Sequence, residues 1–135
     1  MEGRYRDRRP LPESVESVAR AVVDAAFRVH STLGPGLLES VYETCMAHEL
    51  EKMRLRYERQ LAVPVVYEEV TLDCGLRLDL LVEDAVIAEL KAVESLWPVH
   101  TAQVLTYLKL TGKRLGLLIN FNVPLIRDGI RRIIL

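Results

Sequence analysis

Two adjacent apolar segments in the middle of the chain carry charged residues whose spacing could support chemistry. Glu89 and Lys91 are two residues apart in a segment that is typical of a β-strand, so their side chains project from the same face. Asp79 belongs to the preceding strand segment, and residues directly opposite each other in an antiparallel hairpin share a face. A three-residue connection centred on Asp84 therefore sets Asp79 beside Glu89. A two-residue turn at residues 83–84 separates them, unless a β-bulge restores the register.

This arrangement predicts a divalent-metal site for phosphodiester hydrolysis. The carboxylates of Asp79 and Glu89 are hard oxygen ligands for Mg²⁺ or Mn²⁺, and such an ion polarises a phosphodiester and acidifies a bound water. Lys91 would orient that water or offset the charge that develops on the phosphate. The alternative is an exposed ion-pair ladder on a sheet face, because Glu and Lys two residues apart on a strand are common by chance.

Two glutamates of the second predicted helix also call for a role. On a helical wheel, Glu39 and Glu49 both fall within the apolar arc of this helix. Ionised groups at such positions need an ion pair, hydrogen bonds or a bound metal. We expect Glu39, which the dipole at the helix N-terminus can stabilise, to belong to the site, and Glu49 to have a structural role.

The third predicted helix carries a polar stripe beside its apolar face, formed by His100, Gln103 and Tyr107. Such a stripe indicates a cleft, in which Gln103 and Tyr107 could hydrogen-bond a phosphate, a metal-bound water or Lys91. Alternatively, the stripe is a half-exposed helix flank capped by an amphipathic tyrosine. His100 could bind phosphate, but no histidine spacing suits a metal or a catalytic pair. Nucleotide-binding glycine motifs are absent from the sequence.

Hydrophobic periodicity predicts the elements that position these residues. Steps of three and four residues indicate helices over residues 12–33, 38–53 and 98–111, with a tight break at Gly34, Pro35 and Gly36 between the first two. Short β-rich runs predict an antiparallel meander over residues 61–67, 76–82 and 85–92, a buried strand over 115–121 and a short edge strand over 130–135. The expected fold is a single α/β domain of the α+β type, with the order ααβββαβ(β).

Composition narrows the class of protein. The 135 residues are half hydrophobic and 27% charged, as in one globular domain, and no apolar run approaches the roughly 20 residues needed to cross a bilayer. Cys45 and Cys74 are isolated, which leaves zinc and redox sites without support. The polar start lacks the apolar stretch of a secretory signal, so we expect a cytoplasmic protein.

The charge distribution bears on the partners. Residues 1–11 contain Arg4, Arg6, Arg8 and Arg9 and are expected to form a disordered basic arm, with the single domain spanning 12–135. The net charge is −1 and the pI is near 6.3. Domains that bind nucleic acid through its phosphates usually have a basic excess, which argues against tight DNA binding by the lone domain.

Beyond these patterns, the sequence resembles the GxxExxY proteins, a branch of the PD-(D/E)XK nuclease superfamily. The first resemblance is Gly36-Leu37-Leu38-Glu39-Ser40-Val41-Tyr42, which is similar to the defining motif. It continues through Arg77-Leu78-Asp79-Leu80-Leu81-Val82, Glu89-Leu90-Lys91-Ala92-Val93, His100-Thr101-Ala102-Gln103, Tyr107-Leu108-Lys109 and Gly116-Leu117-Leu118-Ile119-Asn120-Phe121-Asn122.

The resemblance implies an αβββαβ core, with a mixed sheet flanked by helices, and a set of site residues. Asp79 and Glu89 would bind Mg²⁺ or Mn²⁺, with the backbone carbonyl of Leu90 as a further ligand. Lys91 completes the E-x-K pair. Gln103 and Tyr107 match the Gln-x-x-x-Tyr pattern of RecB-like nucleases, and Glu39 matches their first-helix acidic position. The usual proline before the motif aspartate is replaced by Leu78.

Two functions remain open from the sequence. The first is a Mg²⁺-dependent nuclease that hydrolyses phosphodiester bonds, with DNA rather than RNA as the expected substrate. The alternative is a non-catalytic self-assembling or nucleic-acid-binding protein that retains the nuclease fold, for which the near-neutral charge and the apolar C-terminal residues Ile130, Ile133, Ile134 and Leu135 argue. A domain of this size encloses little of a duplex, so a homo-oligomer is expected, by default a dimer.

Overall fold

A computed structural model describes residues 9–135 of the chain. Residues 1–8, which make up most of the predicted basic arm, lie outside the described part. Residues 9–11, the end of the predicted arm, lie against the domain. Leu11 packs on the core, and the guanidinium of Arg114 donates a hydrogen bond to the carbonyl of Arg9 over 2.6 Å.

Three helices form within the described residues: α1 (Glu13–Leu33), α2 (Glu39–Lys52) and α3 (Pro98–Thr111). α3 begins with proline, whose fixed φ suits the first turn, and ends at Gly112, which adopts a left-handed φ of 76°. Within residues 9–135, no helix combines the length and the apolar character needed to cross a membrane.

The described residues also form seven strands, numbered in chain order: β1 (Tyr57–Ala62), β2 (Val65–Tyr67), β3 (Val70–Leu72), β4 (Arg77–Val82), β5 (Val86–Lys91), β6 (Leu115–Asn120) and β7 (Ile130–Ile134), with α3 between β5 and β6. Five of them build one sheet in the order β1-β4-β5-β6-β7, in which β5 and β6 are parallel and all other neighbours are antiparallel. A short 3₁₀ turn, Ile126–Gly129, precedes β7. The sheet is therefore mixed, and β7 is an edge strand, as the sequence predicted.

The first predicted strand is wrong in its bounds. Instead of one strand over residues 61–67, β1 starts at Tyr57 and ends at Ala62, and β2 pairs with β3 in a separate two-stranded sheet. Pro64 lies between β1 and β2 and has no N–H to donate to a ladder. Glu68 and Glu69, with φ of 51° and 69°, form the two-residue turn of the hairpin.

The sheet separates two layers of core. α1 and α2 cover the face that carries Leu80, Ala88 and Leu117. α3 covers the opposite face, where Leu81 and Ile87 lie buried with its Val104 and Leu108. The fold is of the α+β class with a mixed sheet flanked by helices, which confirms the predicted fold class.

Candidate active site

The hairpin of β4 and β5 has the register that joins the two acidic residues. The pairs Leu80–Ala88 and Val82–Val86 leave a three-residue connection centred on Asp84. Continued by one residue, this register sets Asp79 directly opposite Glu89. The three-residue connection that the sequence predicted is therefore present, and Asp79 lies beside Glu89.

Asp79 and Glu89 hold each other through backbone N–H groups of the opposite strand. The N–H of Asp79 donates to Oε2 of Glu89 over 2.9 Å, and the N–H of Leu90 donates to Oδ2 of Asp79 over 2.8 Å. The side chains thus take over the hydrogen bonding where the regular ladder ends. Each carboxylate keeps oxygen lone pairs that these N–H groups do not use.

Glu89 is only 3% exposed, and its ionisation is suppressed. Burial, followed by the negative charge of Asp79, raises the pKa of the Glu89 carboxyl to about 8, although the Asp79 N–H and the charge of Lys91 act in the opposite direction. At neutral pH without a cation, the carboxyl of Glu89 is therefore mostly protonated. A bound cation would favour the doubly ionised form.

Lys91 is held beside this pair by α3. Its Nζ donates to Oε1 of Gln103 over 3.0 Å, and Nε2 of Gln103 lies 3.4 Å from the hydroxyl of Tyr107. That hydroxyl donates to the carbonyl of Arg77 over 3.1 Å. Burial, with the negative charge of Glu89, raises the pKa of the Tyr107 phenol, so the hydroxyl remains a donor. The polar stripe of α3 is thus tied to both strands of the hairpin.

An open cleft of about 460 Å³ runs along this stripe. It gives solvent access to the ammonium group of Lys91 and to the amide of Gln103. Its lining consists of Lys91, Val99, His100, Ala102, Gln103 and Thr106.

Glu39 is not drawn into this network. Contrary to the expected position in an apolar arc, its side chain is exposed at the first residue of α2. Within residues 9–135, it forms no hydrogen bond or ion pair with Asp79, Glu89 or Lys91. The whole first turn of α2 is exposed, whereas its buried residues begin at Tyr42, so the helical wheel gave a direction that the first turn does not follow into the core.

One helical turn later, Glu43 provides the link to the site that sequence reasoning missed. Oε1 of Glu43 accepts a hydrogen bond from Nε2 of Gln60 over 2.6 Å, and the same nitrogen donates to Oδ1 of Asp79 over 2.9 Å. The i, i+4 spacing of Glu39 and Glu43 was the only signal in the sequence, because residues so spaced share a helix face.

The tyrosine of the Gly-x-x-Glu-x-x-Tyr segment has a structural role. Tyr42 is fully buried and stacks on Phe121, with ring centroids 4.4 Å apart. Its hydroxyl donates to the carbonyl of Gly34 over 2.6 Å and accepts the N–H of Leu37 over 3.2 Å. Tyr42 therefore ties the loop between α1 and α2 to the core.

Two other candidates also stabilise helices. Nδ1 of His100 accepts the N–H of Trp97 over 2.9 Å, so this imidazole caps the start of α3. Glu49 forms an ion pair with Lys52 over 3.2 Å and lies 3.9 Å from a guanidinium nitrogen of Arg28. Glu49 thus has two cationic neighbours, and its structural role stays a prediction.

The donor chemistry of the site fits a hard divalent cation. Mg²⁺ in proteins is commonly held by one or two carboxylates, with waters and substrate phosphates completing the octahedron. Asp79 and Glu89 supply two such carboxylates. Within the described part of the chain, no group of three or more His, Cys, Asp or Glu side chains is arranged around a metal position, so the nitrogen and sulfur ligands that zinc prefers are not assembled there.

Comparison with known proteins agrees with this geometry. A family model of the PD-(D/E)XK nuclease superfamily matches residues 16–133. These residues include α2, α3, both strands of the β4–β5 hairpin, and all of α1 except its first three residues. No curated protein and no solved structure matches the chain. The family match spans well over half of the sequence, and the chain therefore belongs to the PD-(D/E)XK nuclease superfamily.

Proposed function

We propose that this chain is a Mg²⁺-dependent nuclease that hydrolyses phosphodiester bonds in DNA. One observation carries the proposal: the carboxylates of Asp79 and Glu89 lie side by side in the hairpin, and Gln103 binds the ammonium group of Lys91. Nucleases of this superfamily generally use divalent metal ions. The segment containing Gly36, Glu39 and Tyr42 supports assignment to the GxxExxY branch.

Each side chain has a distinct role in this proposal. Asp79 and Glu89 would hold Mg²⁺ or Mn²⁺, which supplies positive charge to the phosphate and lowers the pKa of a bound water. The Lys91 ammonium offsets negative charge that develops on the phosphate as the bond to the leaving oxygen breaks. Gln103 and Tyr107 act through Lys91 as positioning residues.

Two further participants remain predictions. Glu39 is exposed at the start of α2 and is free to contact substrate, whereas it is too exposed for a buried ligand role. The backbone carbonyl of Leu90 remains a predicted additional ligand, and the hydrogen bond from the Leu90 N–H to Asp79 keeps this residue beside the acidic pair.

Cleavage assays test the proposal directly. Single-stranded DNA, duplex DNA and RNA are incubated with the protein in Mg²⁺, in Mn²⁺ and with a chelator. We expect cleavage only with a divalent ion, and none in Asp79→Asn. Glu51→Gln is the matched control, because Glu51 is an exposed carboxylate of α2 that bonds to the Tyr57 hydroxyl. Cleavage that persists in chelator or in Asp79→Asn would refute the proposal.

A second candidate is a non-catalytic protein that self-assembles or binds nucleic acid. The hairpin of β2 and β3 favours it, because Val66, Tyr67 and Val70 are each more than half exposed. The C-terminal isoleucines no longer support it, since Ile133 is buried and Ile130 and Ile134 pack on the core. Sedimentation velocity separates the candidates: a dimer with metal-dependent cleavage favours the nuclease, and a large particle without cleavage favours the second candidate.

A further inference from the structure

The carboxamide of Gln60 bridges two carboxylates. Its Nε2 lies 2.6 Å from Oε1 of Glu43 and 2.9 Å from Oδ1 of Asp79, so both amide protons have acceptors. Carboxylates only accept hydrogen bonds, and exchanging the amide oxygen and nitrogen would set the oxygen against two acceptors. The two carboxylates therefore fix the orientation of the amide.

Glu43 is itself held in place from β1. Its second oxygen accepts a hydrogen bond from Nε of Arg59 over 3.0 Å, and the same guanidinium donates to Oγ1 of Thr44 over 3.2 Å. The negative charge of Glu43 is thus balanced by Arg59, and its other oxygen remains directed at Gln60. This chain of contacts transmits the position of α2 to Asp79.

The backbone at Gln60 departs from the strand that contains it. Its φ is 49°, in the left-handed region that non-glycine residues seldom adopt. It lies between the Arg59–Leu80 and Leu61–Leu78 pairs, where the register would set it opposite Asp79. Such conformations concentrate at functional positions, where the surrounding structure maintains them. Here the strained residue is the one that contacts the candidate metal ligand.

Asp79 lies between two residues that pack on opposite faces of the sheet. Leu80 belongs to the core layer of α1 and α2, whereas Leu78 belongs to the layer of α3. β1 is an edge strand, so a side chain from it can reach around the rim of the sheet. Gln60 is thus placed to join the two layers at the acidic pair.

We infer that Gln60, oriented by Glu43, is a positioning residue that fixes the Asp79 carboxylate for cation binding. The inference rests on the proposed function, in which Asp79 is a metal ligand. With Oδ2 anchored by the Leu90 N–H and Oδ1 by Gln60, rotation of the carboxylate is restrained before the cation arrives. Hydrogen-bonding partners of this kind contribute about 10- to 100-fold to metal affinity.

Mn²⁺ affinity, measured by titration calorimetry and by the electron paramagnetic resonance of free Mn²⁺, tests this inference without reference to cleavage. In Gln60→Gly we expect affinity to fall by about 10- to 100-fold. The melting temperature should be unchanged or higher, because glycine tolerates the left-handed backbone. Arg54→Gly is the matched control: Arg54 is also left-handed, with φ of 60°, and precedes β1 at the end away from Asp79. It should retain wild-type affinity.

Variants of Glu43 test the orientation of the amide. Glu43→Ala should weaken Mn²⁺ binding, whereas Glu43→Gln keeps an oxygen that can accept from Gln60 and should restore most of the affinity. Wild-type affinity in Gln60→Gly would overturn the inference and leave the nuclease proposal standing. Absence of Mn²⁺ binding by the wild-type protein would overturn both.

Discussion

Asp79 and Glu89 face each other across β4 and β5, and each carboxylate accepts a backbone N–H of the opposite strand, over 2.9 Å from Asp79 and 2.8 Å from Leu90. The two acids are therefore part of the hydrogen bonding of the sheet as well as candidates for chemistry. A substitution at either position can therefore change both the stability of the fold and the affinity for metal. Variants that keep or remove the acceptor of the backbone N–H separate these two effects.

Two substitutions at Asp79 should separate these effects. Asp79→Asn keeps an oxygen for the N–H of Leu90 but sets an amide nitrogen against Nε2 of Gln60, so we expect a smaller loss of stability than in Asp79→Ala, with loss of Mn²⁺ binding and cleavage. Asp79→Ala leaves that N–H, on a residue 1% exposed, without an acceptor, which costs about 1–3 kcal/mol. Urea denaturation without metal measures the difference. Equal stability of the two variants would contradict the assigned hydrogen bond.

The raised pKa of Glu89 predicts how stability depends on pH. Its carboxyl titrates near 4.5 when exposed and near 8 when folded, so the folded state binds more protons between these values. The stability that the protonated carboxyl contributes is complete below pH 4.5 and is lost as pH rises through about 8. Relative to Glu89→Gln, the wild type should lose at most about 1.4 kcal/mol per pH unit within that window.

Chemical denaturation at several pH values, in chelator, checks this prediction. The difference between the free energies of unfolding of wild type and Glu89→Gln is the quantity to plot, because other titrating groups cancel in it. A difference that stays flat from pH 5 to pH 8 would mean that Glu89 is ionised in the folded protein. Added Mg²⁺ should reduce the slope, since a cation stabilises the ionised carboxylate.

Much of this architecture could be read from the sequence. The proline and glycine at the ends of α3 predicted its bounds, and a three-residue connection centred on Asp84 predicted that Asp79 lies beside Glu89. β1 was missed at its start, because an edge strand exposed along most of its length shows no apolar alternation. Local hydrophobic patterns suffice to predict a strand when one face of that strand is buried.

The link through Gln60 and Glu43 could not be predicted in this way. It depends on a residue with a left-handed backbone inside a strand, at a position where the sequence has no glycine or other turn-forming residue. It also depends on the distance between α2 and the edge of the sheet. Glu39 remains a predicted site residue, but its exposure was not predicted, because a helical wheel gives direction around the axis and not the depth of each turn in the fold. Both points concern tertiary position and not local structure.

Tyr107→Phe should affect the reaction more than the metal site. The variant lacks the hydroxyl that joins Gln103 to the carbonyl of Arg77, so Lys91 loses part of its support. We expect kcat to fall roughly tenfold, which corresponds to one hydrogen bond, with unchanged Mn²⁺ affinity. Tyr57→Phe is the control, because its hydroxyl bonds to exposed Glu51. A parallel loss of Mn²⁺ affinity in Tyr107→Phe would place the tyrosine among the groups that organise the carboxylates.

Tyr42→Phe should affect stability alone. The ring can still stack on Phe121, but the carbonyl of Gly34 and the N–H of Leu37 lose their partner. The expected cost is about 1–3 kcal/mol in the free energy of unfolding, with Mn²⁺ affinity and kcat per folded molecule unchanged. Denaturation and single-turnover cleavage of the same preparation measure both quantities. If fully folded Tyr42→Phe cleaved more slowly than the wild type, the tyrosine would contribute to the reaction itself.

Gly116→Ala should disturb the site by displacing α3, which carries Gln103. A Cβ at Gly116 would lie 2.5 Å from Cγ1 of Val104, and valine has little rotamer freedom on a helix, so α3 must move away from β6. Gln103 is next to Val104 and moves with it, which lengthens its 3.0 Å hydrogen bond to Lys91. We expect a loss of about 1–3 kcal/mol in stability together with slower cleavage.

A compensating variant distinguishes this displacement of α3 from general damage to the core. Val104→Ala removes the methyl group that collides with the new side chain, so the double variant with Gly116→Ala should recover the cleavage that Gly116→Ala loses. Contacting residues of this kind show coupling of about 0.5–3 kcal/mol in double-mutant cycles. Additive losses in the cycle would mean that the position of Lys91 does not depend on how closely α3 packs against β6.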